Sequence, residues 1–177
     1  MNNSNNFLTR AFILAAILLI ISLLPILLND FESKIFGYLS PAIIIIAGVV
    51  FCLLKGKESN SSLKYGKLFA NGFNTILVGT IISTLLYLGL VYFVFPDTPQ
   101  LVQDAQNKVF MKEAIEKKLS PEQIDASLKF LGNTSKYFYI FVLASGIIGG
   151  AFLGCIGSLI GAAVTSKKNA DKMEFSA

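Results

Sequence analysis

The sequence predicts an all-α fold, an integral membrane four-helix bundle with a periplasmic amphipathic helical hairpin between spans 3 and 4. Four stretches carry no charged residue: Ala11–Asn29, Ile35–Leu54, Leu68–Pro96 and Tyr137–Ser166, which are 19, 20, 29 and 30 residues long. A bilayer core about 30 Å thick is crossed by about 20 apolar helical residues. The stretches do not alternate apolar and polar residues as barrel strands do, so each is predicted to be a helix.

The composition favours the same fold class. Charged residues make up only 15% of the chain and the mean hydropathy is +0.64, whereas an ordinary soluble domain has about 25% charged residues. Little sequence remains outside the apolar stretches for a separate soluble core. We therefore expect one membrane domain over residues 1–177. Its predicted spans are residues 11–29, 35–54, 68–95 and 137–165, and its extramembrane helical segment is residues 100–132.

The first predicted span resembles a signal peptide because Arg10 precedes an apolar run. A cleavable signal has an apolar core of about 7–15 residues and a small-residue cleavage site. This run is longer and ends without such a site, which predicts a retained span. Pro25 and Pro41 lie within the first and second spans, where proline removes a backbone donor and can bend the helix. We expect bent scaffold helices, with a gating hinge as the alternative.

The long connection after the third span contains two predicted amphipathic helices. In the first, Met111, Ile115 and Leu119 recur at four-residue spacing on one face. Glu113 and Lys117 stand one helical turn apart, as a stabilising ion pair requires. The apolar face of each helix is expected to pack on the other helix or lie on the membrane surface. Binding of a partner is the alternative.

The second helix of this connection begins with a capping motif. Ser120 can cap the helix, Pro121 suits its first position, and Gln123 stands where a capping box has Glu or Gln. The apolar residues that share one face of this helix are Ile124, Leu128 and Leu131. Gly132 supplies the stop signal.

Lysine and arginine near the span ends predict the orientation. One side carries Arg10, Lys55, Lys57, Lys64, Lys67, Lys167, Lys168 and Lys172. The other side has only Lys34, Lys129 and Lys136 near a span end. Positive charge near span ends favours the cytoplasmic side. Both termini are therefore predicted to be cytoplasmic and residues 97–136 periplasmic. The lysine clusters are interpreted as topology signals and contacts with anionic lipid, not as a nucleic-acid site.

The fourth span carries small residues every four positions, a pattern that lets helix backbones approach closely in a bilayer. The predicted helix-packing residues of this span are Gly146, Gly150, Gly154 and Ser158, with Gly157 and Gly161 as a second pair. Their predicted mates on the third span are Gly72, Thr75, Gly79 and Ser83. We expect this ridge to pack inside the monomer. The alternatives are a homodimer seam and a thin wall that lines a pathway.

The sequence shows no constellation of reactive residues. The chain has no His, so a Ser-His-Asp or Cys-His site cannot be built, and the commonest metal ligand is missing. Cys52 and Cys155 lack CxxC spacing and are interpreted as inert buried thiols. We expect no catalytic, cofactor-binding or metal-binding residues, no cofactor, and no enzymatic activity.

Two segments resemble a known family. Lys64–Phe73 (KYGKLFANGF) resembles the YGxAFxxGF motif that begins a span in the bacterial domain-of-unknown-function family 4199. Leu119–Asp125 (LSPEQID) resembles that family's MSEEQI segment. The resemblance covers almost the whole chain and implies a small four-span protein of the bacterial inner membrane. Lys67 stands where the family often has an acidic residue, so no role for that acid is carried over. The resemblance implies no activity.

The functional expectation is a non-catalytic interaction or scaffold protein. Its outer hairpin or glycine ridge would contact another membrane component, and its partners would be the lipid bilayer and either a second copy or another membrane protein. The alternative is a passive pore or small permease formed by an oligomer. Its candidate lining is the polar side chains of the third span, Asn71, Asn74, Thr75, Thr80, Ser83 and Thr84. Coupled transporters usually carry ionisable groups at membrane depth, and the charge-free spans have none.

Overall fold

The computed structural model describes residues 3–58, 63–132 and 136–174, which contain six α-helices and no strand. The helices are α1 (Asn3–Leu27), α2 (Lys34–Glu58), α3 (Tyr65–Phe93), α4 (Thr98–Glu116), α5 (Pro121–Gly132) and α6 (Phe138–Glu174). Four of them, α1, α2, α3 and α6, are long and apolar enough to cross a membrane. The predicted all-helical fold with four apolar helices is confirmed, and these helices indicate a membrane protein.

The ends of α1 and α2 do not coincide with the ends of the charge-free stretches, because backbone hydrogen bonding and conformation determine where a helix ends. α2 continues through Lys55 to Glu58, because a charged side chain at a helix end can reach water while its backbone stays hydrogen-bonded. α1 ends earlier than its apolar run. Asn29 has a φ of 51°, and asparagine tolerates the left-handed conformation that commonly terminates a helix. The Asp30 amide donates a 3.0 Å hydrogen bond to the Pro25 carbonyl at this end.

The predicted capping box between α4 and α5 is confirmed. The Ser120 amide donates to Gln123 Oε1 at 3.0 Å, and the Gln123 amide donates to Ser120 Oγ at 3.3 Å. The predicted pair of Glu113 and Lys117 also forms, at 3.3 Å. These contacts involve residues three or four apart, so the sequence alone specifies them.

Two side chains of the apolar face predicted for α4 are exposed. Met111 and Ile115 are 38% and 71% exposed, whereas Ala105 and Ala114 are buried. Neither side chain is buried against α5, although α4 and α5 do pack together, and contact of this face with the membrane surface stays a prediction.

The bundle is tightly packed in the half away from α4 and α5, which we call the closed half. It comprises the C-terminal parts of α2 and α6 and the N-terminal part of α3. A Cβ built on Gly48 of α2 would lie 2.7 Å from the carbonyl carbon of Gly157 and 2.8 Å from the amide nitrogen of Ser158. In a bilayer there is no hydrophobic drive between helices, so such close van der Waals contact holds them together.

An ion pair joins α1 to α2 at the end of the closed half. The guanidinium of Arg10 donates to the carboxylate of Glu58, and Asn6 Nδ2 donates to the same carboxylate at 3.1 Å. Lys55 Nζ lies 3.8 Å from the other carboxylate oxygen. These groups flank the apolar parts of the two helices and link α1, which packs mainly on α3, to the neighbouring α2.

We expect Gly48→Ala to destabilise the bundle. The added methyl group would meet the backbone of α6, which can move only if the two helices separate, and such overpacking costs about 1–3 kcal/mol. Gly89→Ala is the matched control, because its Cβ would meet nothing within 4 Å and alanine is favoured over glycine in a helix by about 1 kcal/mol. Thermal unfolding in detergent measures both. Equal unfolding midpoints would contradict backbone contact at Gly48.

Candidate functional site

A cleft of about 650 Å³ lies in the other half of the bundle, between all four spanning helices. Ser22 of α1, Ser40 of α2, Ser83 of α3 and Ser145 of α6 line it, and so does Val102 of α4. Binding sites for small molecules have volumes of about 300–1,000 Å³. The cleft is therefore large enough to hold a ligand, and α4 is placed at its border.

Small residues on α2 and α6 keep the cleft open. Gly37, Gly149 and Gly150 line it, and a Cβ built on Gly37 or Gly149 would meet nothing within 4 Å. At Gly150, by contrast, a Cβ would lie 2.6 Å from Thr80 Oγ1. Neighbouring glycines of α6 thus serve two purposes: Gly150 allows contact with α3, and Gly149 leaves volume in the cleft.

The polar lining of the cleft consists of hydroxyl groups and one carboxylate. The polar lining residues are Ser22, Asp30, Ser33, Ser40, Ser83, Thr84, Tyr87 and Ser145. Among the described residues, no lysine or arginine lines it. Asp30 belongs to the exposed connection between α1 and α2, where its Oδ1 accepts a 3.1 Å hydrogen bond from the Ser33 amide. The spanning helices themselves contribute only uncharged groups.

The hydroxyl groups of α3 in the cleft make fewer hydrogen bonds than those of Thr75 and Thr165, although the buried hydroxyl group of Ser158, outside the cleft, also has no partner among the described residues. Thr75 and Thr165 each donate a 2.6 Å hydrogen bond to the carbonyl four residues earlier in their own helix. Ser83, Thr84 and Tyr87 make no hydrogen bond to another described residue. Ser83 is nevertheless only 5% exposed. Its hydroxyl group therefore has capacity to bind a ligand inside the bundle.

The predicted glycine ridge of α6 lies inside the bundle, against α3. The contacts that a Cβ would make are Gly146 with Thr84, Gly150 with Thr80, and Gly154 with Ile76. The ridge and its neighbours on α3 therefore share the same four-residue spacing. The polar residues Thr80 and Thr84, considered above as pore lining, both pack against a glycine of the ridge, and Thr84 also lines the cleft.

The second pair of small residues on α6 faces a different helix. Gly157 meets Ile45 of α2, and a Cβ on Gly161 would lie 2.7 Å from Val49 Cα. Ser158 is buried between these contacts, 2.9 Å from the Cβ position of Gly72 on α3. α6 thus packs on α3 along its N-terminal part and on both α2 and α3 further along.

The four residues predicted as mates on α3 are divided among several neighbours. Gly72 does meet Ser158 of the ridge, but a Cβ on Gly79 would lie 3.0 Å from the Ala11 carbonyl oxygen of α1. Thr75 is buried, and Ser83 lines the cleft. One face of α3 meets different helices along its length because α3 contacts all three other spans.

Sequence reasoning missed the packing residues of α2. Gly48, Cys52 and Gly56 recur every four residues and all are buried in the closed half. The buried Cys52 thiol lies 3.4 Å from the Leu68 carbonyl oxygen, and it and Cys155 are free. The spacing of small residues was the available signal. The pattern is visible in the sequence when cysteine is counted as a small residue.

Comparison with known proteins gives a family but no activity. A model of the family described as "Protein of unknown function (DUF4199)" matches residues 9–167. The chain belongs to the DUF4199 family. The resemblance predicted from Lys64–Phe73 and Leu119–Asp125 is thus confirmed. No curated protein and no solved structure matches significantly. Within the described part of this DUF4199 chain, no group of three or more His, Cys, Asp or Glu residues could hold a metal ion.

An exposed ion-pair cluster connects the DUF4199 bundle to α4 beside the cleft. Glu32, in the connection between α1 and α2, lies 2.8 Å from Lys112 Nζ and 3.9 Å from Lys108 Nζ. The hydrogen bond from Lys112, followed by the charge of that lysine, lowers the pKa of the Glu32 carboxyl group below its ordinary value. The cluster therefore attaches α4 to the same connection that carries Asp30.

We expect this attachment to depend on pH. Because the folded pKa of Glu32 is lowered, the contact is fully present above the ordinary glutamate pKa of about 4.3 and is lost as pH falls through the lowered value. Hydrogen exchange of α4 amides, corrected for intrinsic rates, should show reduced protection in that acidic range. Glu32→Gln should reduce protection already at neutral pH. Glu116→Gln is the control, because it removes the same charge from an exposed position of α4, and it should leave the protection unchanged. Equal loss of protection in the two variants would refute the attachment.

Proposed function

We propose that this DUF4199 protein is a non-catalytic interaction protein that binds a membrane amphiphile in the cleft. The observation that carries this proposal is the set of unpartnered hydroxyl groups on α3 that face a cleft of about 650 Å³ within the membrane-spanning part of the bundle. Apolar walls with a few convergent polar groups are typical of small-molecule sites. An amphiphile from the bilayer would contact the apolar walls with its hydrocarbon chain and the polar groups with its head group.

The packing of the glycine ridge favours the cleft over the ridge itself as the interaction surface. The ridge contacts α2 and α3 of its own chain, so its surface is already occupied within the monomer. The cleft, by contrast, has open space beside Gly149 and Gly37. The proposed interaction role therefore belongs to the cleft.

The chemistry of the lining supports a binding role over a catalytic one. A serine hydroxyl is a weak nucleophile unless a neighbouring group activates it, most often a histidine base, and the chain contains no histidine. The one carboxylate of the lining, Asp30, lies in the exposed connection and accepts a hydrogen bond from the Ser33 amide. Hydroxyl groups without a base can bind and orient a ligand.

The proposed location is the bacterial inner membrane, and the distribution of basic residues supports an orientation with both termini in the cytoplasm. Residues 97–136 would then be periplasmic, the closed half would face the cytoplasm, and the cleft would lie in the periplasmic half. The exposed Met111 and Ile115 of α4 would be available to the membrane surface, a second copy or another membrane protein. No nucleic-acid partner is proposed.

We expect Gly149→Leu to abolish ligand binding without unfolding the protein. The new side chain would occupy the cleft, and its Cβ meets nothing within 4 Å. Gly89→Leu is the matched control, since that position is equally open and does not line the cleft. Native mass spectrometry from detergent, with an equimolar mixture of monoolein, oleyl sulfate and oleyltrimethylammonium, counts the retained probes. The wild type and Gly89→Leu should retain one molecule saturably. The proposal would be overturned if Gly149→Leu also retained a probe. It would be overturned equally if none of the three proteins retained one.

The alternative function, a passive pore or small permease formed by an oligomer, is favoured by one observation: Ser83, Thr84 and Tyr87 form a hydroxyl-bearing surface along α3 in the cleft. A path through one monomer would have to cross the closed half, where Gly48 meets the backbone of α6. A pore therefore requires a second copy to complete it.

A pore predicts flux of small solutes. Purified protein in liposomes should then accelerate entry of glycerol or release of potassium, and Ser83→Leu should reduce the rate while Gly89→Leu should not. We expect no acceleration, because we propose that the cleft is a binding site that the closed half separates from the other side of the bundle. Flux that is sensitive to Ser83→Leu would favour the pore over the binding protein.

A further inference from the structure

We propose that the ligand of the cleft is an uncharged lipid that carries hydroxyl groups, of the monoacylglycerol type, with its polar group bound by Ser83 and Thr84 of α3. This inference rests on the proposed function, because it names the class of amphiphile that the same cleft would bind. Three independent features lead to it: the charge of the lining, the donor and acceptor properties of its polar groups, and their depth.

The charge of the lining disfavours an anionic ligand. Among the described residues that line the cleft, the one formal charge is the carboxylate of Asp30. The nearby Lys108 and Lys112 belong to α4, where both pair with Glu32 and do not line the cleft. An anionic head group would enter an apolar site with no counter-charge and next to a carboxylate. Burial of an unpaired charge is strongly unfavourable.

The position of Asp30 also disfavours a cation inside the cleft. Its carboxylate lies on the exposed connection and is turned toward the Ser33 amide by a 3.1 Å hydrogen bond. A cationic head group attracted to it would stay at the border of the cleft, in contact with water. The hydroxyl groups of Ser83 and Thr84 would then remain without a partner.

The polar groups of the cleft are suited to another hydroxyl group. Each serine or threonine hydroxyl can donate one hydrogen bond and accept others. Ser83 and Thr84 on α3 face the same cleft as Ser22 on α1 and Ser40 on α2. A ligand that both donates and accepts, such as a glycerol group, satisfies these groups better than an ester or a hydrocarbon.

The depth of Ser83 separates uncharged lipids from phospholipids. Ser83 lies ten residues before the end of α3 at Phe93, which is about 15 Å along a helix at 1.5 Å per residue. A charged phosphate head group stays at the membrane surface, where water solvates it. An uncharged glycerol group can reach this depth, and its acyl chain can lie against apolar lining residues such as Ile44 and Leu153.

The test compares probes that share one hydrocarbon chain. Binding of monoolein, oleyl sulfate, oleyltrimethylammonium and methyl oleate is titrated separately against the detergent-solubilised full chain by native mass spectrometry. We expect monoolein to bind at least about tenfold more tightly than the other three. That factor corresponds to about one hydrogen bond at 1.4 kcal/mol per tenfold.

Variants test whether the hydroxyl groups supply the preference. Ser83→Ala and Thr84→Val should each weaken monoolein binding about three- to tenfold and leave methyl oleate binding unchanged. Ser127→Ala on α5, which does not line the cleft, is the control. Ser40→Ala provides a second test on α2 if either α3 variant loses helicity or its monodisperse elution. Equal weakening of monoolein and methyl oleate would refute hydroxyl recognition.

The outcomes distinguish the two proposals. Tighter binding of oleyl sulfate or oleyltrimethylammonium, abolished by Gly149→Leu, would overturn the uncharged ligand and leave the binding function standing. Binding of every probe that is unaffected by Gly149→Leu would overturn the cleft as the site, and the ligand class with it. Preferential binding of monoolein, lost in both Gly149→Leu and Ser83→Ala, would support both.

Discussion

The arrangement of this bundle depends on backbone contact between α2 and α6 in the closed half. Gly48 and Gly157 meet there without any side chain between them, and the membrane supplies no hydrophobic force that would compensate for a looser fit. Because the contact is confined to one half, α2 and α6 are free to separate in the other. The cleft is thus a consequence of where the small residues are placed. It forms where Ser40, Gly37 and Gly149 provide little side-chain volume.

The glycines of α6 serve two structural purposes: some allow close helix contact and others leave open volume. Gly150 and Gly149 are neighbours in the chain, but a side chain would collide with Thr80 at the first and enter open space at the second. A helix rotates by 100° per residue, so adjacent positions face different surroundings. Glycine at Gly150 permits contact, and glycine at Gly149 preserves volume. A functional interpretation of a glycine-rich span must therefore separate these two classes.

The cleft places uncharged polar groups at membrane depth and charges only at its border. The hydroxyl groups of Ser83 and Thr84 are compatible with a hydrocarbon environment only when another group satisfies them. Charged residues belong to the connection and α4, where Glu32, Lys108 and Lys112 can contact water. This separation of hydroxyl groups from charges makes a binding site for an uncharged amphiphile physically consistent with the fold.

The sequence by itself determined the features that depend on neighbouring residues. Runs of apolar residues identified the four spans, the spacing of Ser120 and Gln123 identified the start of α5, and two short segments identified the DUF4199 family. Only the tertiary structure decided that Gly79 meets α1, that Gly157 meets α2, and that Ser83 faces a cleft. The tertiary structure also decided that Met111 and Ile115 of α4 are exposed, although their spacing in the sequence is that of a buried face. The physical reason is the distance along the chain over which each interaction acts. Hydropathy, capping and one-turn ion pairs act within a few residues, whereas the partner of each helix face depends on the crossing and rotation of helices far apart in the chain.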